Sequence, residues 1–258
     1  MLLEARGLTR RFGGVVAVDD VSLGVAQAEL VGVIGPNGAG KSTLFHLITG
    51  HLLPNAGSVN LLGHDLTRMS ADERARAGMA IAFQAVRLFR GMTVLENVMV
   101  GAHAWTSHGF LSAFLHLPTY RREEAAILSA ARAALDRVGL TDAADRFAES
   151  LPIGQQRAVQ VARALCGRPK LLLLDEPASG LRGAEREHLA LLIEQLRDEG
   201  LSMLLIEHDV AFVTRLASRI AVMDRGRVIA EGSPAEIRRD PLVIGAYLGQ
   251  QRTRSVRA

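Results

Sequence analysis

Cysteine occurs once, at Cys166, so no internal disulfide can form and a reducing compartment is expected. Lysine is almost as scarce. Lys41 and Lys170 are the only lysines, and arginine carries nearly all of the positive charge. No apolar run approaches the roughly 20 residues that cross a bilayer; Leu171 to Leu174 is among the longest, and it stops at an aspartate. Glu4, Arg6, Arg10 and Arg11 interrupt any apolar core of a signal peptide, so a soluble, cytoplasmic chain is expected. The histidines are scattered, without the spacing of a metal cluster. With 30 basic and 27 acidic residues the net charge is only +3, too even to imply a nucleic-acid partner. What is present is ordinary for a globular protein: 48% hydrophobic and 22% charged residues, in a length that suits one large or two modest domains.

The most informative stretch is Gly35-Pro36-Asn37-Gly38-Ala39-Gly40-Lys41-Ser42-Thr43. An apolar run, Leu30 to Ile34, precedes it, and Leu44 to Ile48 follows with helical character. A glycine-rich loop between a strand and a helix is the setting of a phosphate-binding P-loop. Its glycines let backbone N–H groups curl around phosphate oxygens, and the helix adds its positive end. Lys41 can reach the outer phosphates, and the Ser42 hydroxyl can ligate Mg²⁺. A nucleoside triphosphate is the expected ligand.

Along the chain, Leu2 to Val25 alternates apolar and polar residues around a Gly13-Gly14 turn and reads as antiparallel strands. Phe12 lies there, an aromatic that could stack on a base or sit half-exposed on a strand. After the P-loop helix, a turn at Pro54 to Gly57 precedes a strand at Ser58 to Leu62. Ser70 to Glu73 is a capping box opening a short helix that Gly78 closes. Met79 to Phe83 reads as a strand ending at Gln84. From about Ala85 to Leu165 the pattern turns mostly helical, with an amphipathic helix over Tyr120 to Val138. The stretch from Ala104 to Pro118 has no assignable structure. Strands at Leu171 to Leu174 and Leu201 to Ile206 then enclose a helix from Ala184 to Glu199. Arg219 to Met223 and Arg227 to Ala230 form a hairpin at a sheet edge, and Ser233 to Glu236 caps a C-terminal helix. The basic tail from Gln250 to Ala258 reads as a frayed terminus, with a contact to lipid head groups or a partner as the alternative.

The apolar strands at 30–34, 171–174 and 201–206 suit a parallel sheet covered on both faces, where ligands sit at the C-terminal strand ends. The P-loop, Gln84, Asp175, Glu176 and His208 all fall at such ends. The expected fold is therefore α/β, a P-loop NTPase core with a mixed sheet, antiparallel N-terminal strands and a helical subdomain insertion. Asp175 can serve the Mg²⁺ shell, and Glu176 can orient or deprotonate an attacking water. His208 can contact a γ-phosphate, and Gln84 the metal or the water.

These motifs, with Leu151-Pro152-Ile153-Gly154-Gln155-Gln156-Arg157 leading into a helix, resemble the ATP-binding subunits of ABC transporters in order and over essentially the whole chain. Phe83 to Asn97, Leu205 to Asp209 and Ala246 to Gly249 are similar to the branched-chain amino acid importer group. The resemblance implies ATP and Mg²⁺ as cofactors, bound through Phe12 on adenine, Val18, and the loop Gly35, Pro36, Asn37, Gly38, Ala39, Gly40, Lys41, Ser42 and Thr43. It implies Ser42, Gln84 and Asp175 for the metal, Glu176 as catalytic base, His208 as switch histidine, and Gln84 as the residue reporting to membrane subunits. Pro152, Ile153, Gly154 and Gln155 would be the signature that acts on ATP held by a partner. The implied partners are a second ATPase subunit, two permease subunits and, indirectly, a solute-binding protein. The implied location is the inner face of the cell membrane. One ABC-type domain is expected over 1–258, with 1–84 and 166–250 as nucleotide-binding core, 85–165 as helical subdomain and 251–258 as tail.

Two positions depart from the family pattern. Pro152 replaces the signature serine and lacks both hydroxyl and backbone N–H, and Arg182 stands where aspartate or asparagine is usual. A regulatory module with weak hydrolysis is the alternative these changes suggest, although Glu176 and His208 are intact. A non-transport ATPase of the same fold would carry long heptads or a second ATPase module, and neither is present.

Overall fold

The computed structural model describes residues 1–82, 85, 87–106 and 118–247. Gln84, the 107–117 stretch and the basic tail lie outside the described residues.

Among the described residues, ten strands form two sheets. The first has the order β2-β1-β4-β5, built from β1 (Leu3–Phe12), β2 (Val15–Val25), β4 (Ala56–Leu61) and β5 (His64–Asp65), all antiparallel. The second has the order β10-β9-β3-β8-β7-β6, with β3 (Leu30–Ile34), β6 (Met79–Ala82), β7 (Leu171–Asp175), β8 (Ser202–Ile206), β9 (Arg219–Asp224) and β10 (Arg227–Gly232). Its pairs are parallel except the β9–β10 hairpin at the edge, which is antiparallel. The expected α/β fold with a mixed sheet is borne out, and the N-terminal strands form a sheet of their own. The turn before β4 is tighter than the sequence suggested, and pairing with β1 begins at Ala56.

The central strands β3, β7 and β8 are apolar except at Asp175 and Ser202, because both faces are covered. Val31, Val33, Leu171, Leu173, Leu204 and Ile206 pack with α1 (Lys41–Thr49) and the first sheet. Leu30, Ile34, Leu172, Leu174, Met203 and Leu205 point the other way, into the second core. That alternation is the period of two of a β-strand. On the second face lie α5 (Ile153–Cys166), α6 (Gly183–Asp198) and α7 (Val210–Leu216), each giving apolar residues to the core. Helix α1 lies between the sheets and buries Leu44, Phe45, Leu47 and Ile48.

Between β6 and β7 the described chain is helical, with α3 (Val94–Met99), α4 (Pro118–Arg137) and α5 packed together. Capping boxes start α2 (Ala71–Arg76) at Ser70, α3 at Thr93 and α8 (Pro234–Ile237) at Ser233. Helix α8 is only four residues long, and a further helical stretch, 241–247, follows it.

Candidate functional site

Strands β3, β7 and β8 are neighbours, so the segments leaving their C-terminal ends meet. Glu176 N–H donates to Ile206 O at 2.8 Å, and Glu207 N–H donates to Val33 O at 3.2 Å. The P-loop, Asp175-Glu176 and Glu207-His208 are thereby brought to one edge of the sheet.

Gly40 leads into α1 at φ 100°, a left-handed backbone conformation. A Cβ there would stand 2.4 Å from Ala17 O, so only glycine lets the loop pass under β2. The hairpin turn after β9 closes over the loop, with Gly226 N–H donating to Ala39 O at 2.9 Å. A cleft of about 430 Å³ results, lined by Val15, Val16, Ala17, the loop from Asn37 to Thr43, Glu176, Arg225 and Gly226. It is large enough for a phosphate chain and ribose, and the positive end of α1 opens into it.

Lys41 is buried and donates to Gly35 O at 2.6 Å and Pro36 O at 3.1 Å. Burial lowers its pKa, and the charges of Glu176, Asp175 and Glu207 oppose that. The Asp175 carboxyl is shifted upward, first by burial and then by Glu176, against the pull of His46 and Lys41. Its carboxylate and the Ser42 hydroxyl are hard oxygen donors. Among the described residues no group of three or more histidine, cysteine or acidic side chains gathers as a cage. A pair of oxygen donors that leaves the rest of the shell to phosphate and water fits Mg²⁺.

His208 Nδ1 stands 3.5 Å from Glu176 Oε2 and 3.5 Å from Glu207 Oε2. Glu207 is fully buried, and its carboxylate accepts from Ala178 N–H at 2.8 Å and from His208 N–H at 3.2 Å. Burial raises its pKa, and those amides work against the rise. It orients the segments after β7 and β8 together. Sequence reading passed over Glu207 as the neighbour of His208, and also Arg157, whose guanidinium donates to the carbonyls of Glu176, Pro177 and Ser179. Nothing in their local patterns marks them, because their partners are remote in sequence. Arg225 was also missed, on a turn that looked only structural.

Two of the expected nucleotide residues are not among those lining the cleft. Val18 has no accessible surface and packs in the core, next to Val15 to Ala17, which line the cleft. Phe12 is outside the cleft lining, half-exposed, with the Arg10 guanidinium 4.9 Å from its ring centroid. The signature residues stand at the start of α5 and do not line the cleft: Pro152 is its N-cap residue, and Ile153 is exposed.

Comparison with known proteins adds three findings. The family model described as ABC transporter matches residues 18–179, and the model described as branched-chain amino acid ATP-binding cassette transporter matches residues 227–252. The high-affinity branched-chain amino acid transport ATP-binding protein LivG of Salmonella typhimurium is 43% identical, covering 96% of this chain and 98% of that protein. BraF of Pseudomonas aeruginosa, of the same description, is 42% identical over the same shares. Among solved structures, the ADP conformation of MJ1267, an ATP-binding cassette of an ABC transporter, superposes with a TM-score of 0.82 at 30% identity, covering 96% of this chain and 98% of that one.

Proposed function

This chain belongs to the ABC transporter family of ATP-binding subunits, and from that we propose that it drives uptake of branched-chain amino acids by hydrolysing ATP. It binds ATP, and ATP hydrolysis coupled to transport is the activity of its family. The cargo assignment rests on one observation above the others: residues 227–252 match a model specific to branched-chain amino acid cassettes. The full-length likeness to LivG and BraF supports it.

In this reading the amides of Gly38 to Ser42 and the positive end of α1 receive the phosphates, and Lys41 moves from the carbonyls of Gly35 and Pro36 to the outer phosphates. Phe12 stacks on adenine at the mouth of the cleft. Ser42 and Asp175 would hold Mg²⁺, which when bound would supply positive charge against the phosphate oxygens. The family pattern implies Gln84 as a further metal contact. Glu176 accepts the proton of the attacking water, and His208, 3.5 Å away, senses the γ-phosphate beside it. Glu207 and Arg157 hold the backbone that carries Glu176.

No described helix is long and apolar enough to cross a membrane. In this reading the subunit acts from the cytoplasmic face of permease subunits, paired with a second ATPase subunit, and a solute-binding protein delivers cargo from the other side, as the likeness to LivG and BraF suggests. Each P-loop faces the partner's signature, here Pro152 to Gln155. ATP closes the pair and hydrolysis opens it.

The test is uptake into vesicles carrying the co-purified permease subunits. Labelled leucine, isoleucine or valine should accumulate only with ATP inside reach of this subunit and with the solute-binding protein outside. ATP-driven uptake of a different solute class, with none of these three, would refute the cargo.

A further inference from the structure

Helices α2, α3 and α8 each start with a serine or threonine that caps its own first turn. Helix α5 starts with Pro152, whose side chain makes no cap. Its first-turn amides still need a partner, since no carbonyl of the helix reaches them.

The partner comes from another helix. Gly154 N–H donates to Glu185 Oε1 at 3.1 Å. Glu185 lies in the first turn of α6, just after the Ser179-to-Arg182 loop. The approach is close: a Cβ at Gly154 would stand 2.9 Å from Glu185 Oε1 and 3.0 Å from its Cγ. Glu185 also favours the charge of Arg157, one turn further along α5. Arg157 in turn grips the carbonyls of Glu176, Pro177 and Ser179. Helix α5 is thus tied twice to the chain that follows Glu176, by Arg157 to the loop and by Glu185 to α6. Glu185, Pro152, Gly154 and Gln155 border one cavity of about 590 Å³, so the carboxylate stands at an open surface and can meet the helix end without displacing core atoms.

We propose that Glu185 is a positioning residue for ATP hydrolysis: it supplies from α6 the cap that Pro152 cannot, and so orders the first turn of α5 that meets ATP held by the partner subunit. The inference rests on the functional reading above, in which that turn acts across a subunit interface. A carboxylate suits the role because it satisfies an amide and complements the positive helix end together. It also links the segment following one subunit's Glu176 to the surface that serves the other subunit's nucleotide.

The experiment measures steady-state ATPase kinetics on the transporter complex, alongside binding of the fluorescent analogue TNP-ATP to the isolated subunit. Glu185→Ala should lower kcat by about five- to tenfold, the size of a lost helix cap. TNP-ATP affinity should stay within about twofold of the parent, because the isolated P-loop does not use α5. Glu185→Gln, which still accepts from Gly154, should recover most of the turnover. So should Pro152→Ser added to Glu185→Ala, because serine restores a local cap. Parental kcat in Glu185→Ala overturns the proposal. So does an affinity for TNP-ATP that falls in step with kcat, or a failure of both restorations. A parent complex that hydrolyses no ATP would overturn the functional reading itself, and this inference with it.

Discussion

Glu176 is held at φ 44°, a region that side-chain-bearing residues seldom enter and that costs about 1 kcal/mol or more. Its N–H is fixed by Ile206 O and its carbonyl by Arg157, so neighbours of remote sequence hold the strained turn. The strain aims the carboxylate at the cleft and His208. This division explains what could be read from the residues. Lys41, Asp175, Glu176 and His208 stand out because P-loop and strand-end spacing is local, whereas Glu207 and Arg157 gain meaning only from tertiary partners. Glu207 also carries a pH prediction. Its folded pKa is raised above the ordinary 4.5, so its contribution to stability is fully present below that value and is lost as pH rises through the folded value. Glu207→Gln should remove the dependence. The melting temperature of the parent minus that of the variant should shrink from pH 5 to pH 8, read by thermal melts across the series; a constant difference would contradict the assignment.

At the scale of elements, helix α1 needs both of its ends. Its start faces the cleft, and its end is closed by Arg74, a fully buried guanidinium from α2. Arg74 donates to Leu47 O at 2.7 Å, Ile48 O at 2.6 Å, Met69 O at 3.1 Å and Thr67 O at 3.0 Å. Burial lowers its pKa to about 10, which leaves it charged at neutral pH, at the negative end of the helix. Arg74→Ala would strand the last carbonyls of α1 and leave a cavity. Urea unfolding should show a loss of about 3 kcal/mol, with TNP-ATP binding weakened beyond the fraction unfolded. Helices of this kind are legible where the apolar pattern is long, as at α4 and α6. Helices α3 and α7, of six and seven residues, are too short to establish a period, and went unassigned. The capping box at Ser233 was legible, but Asp240 lies between its short helix and the stretch at 241–247, so one expected helix is two.

At the scale of the molecule, the two-sheet core with its helical segment between β6 and β7 follows from apolar runs that alternate with helical ones. We propose that 1–84 and 166–250 act as the nucleotide-binding core and 85–165 as the helical subdomain of one ABC-type domain. In the proposed reading the second half of each ATP site belongs to another subunit, and that half is not legible in a single chain. In that reading the exchanged surface begins at Pro152, so where the partner is a distinct ATPase subunit, Pro152→Ser should chiefly change turnover at the site that carries the partner's P-loop, read in a site-resolved ATPase assay; an equal change at both sites would contradict it. The central claim is that ATP bound at Gly35 to Thr43 is hydrolysed through Glu176. The most direct test follows release of labelled phosphate from γ-labelled ATP by the transporter complex carrying Glu176→Gln, with bound nucleotide quantified in the same samples. The claim predicts at least about a hundredfold slower hydrolysis with ATP still bound; parental turnover in the variant would contradict it.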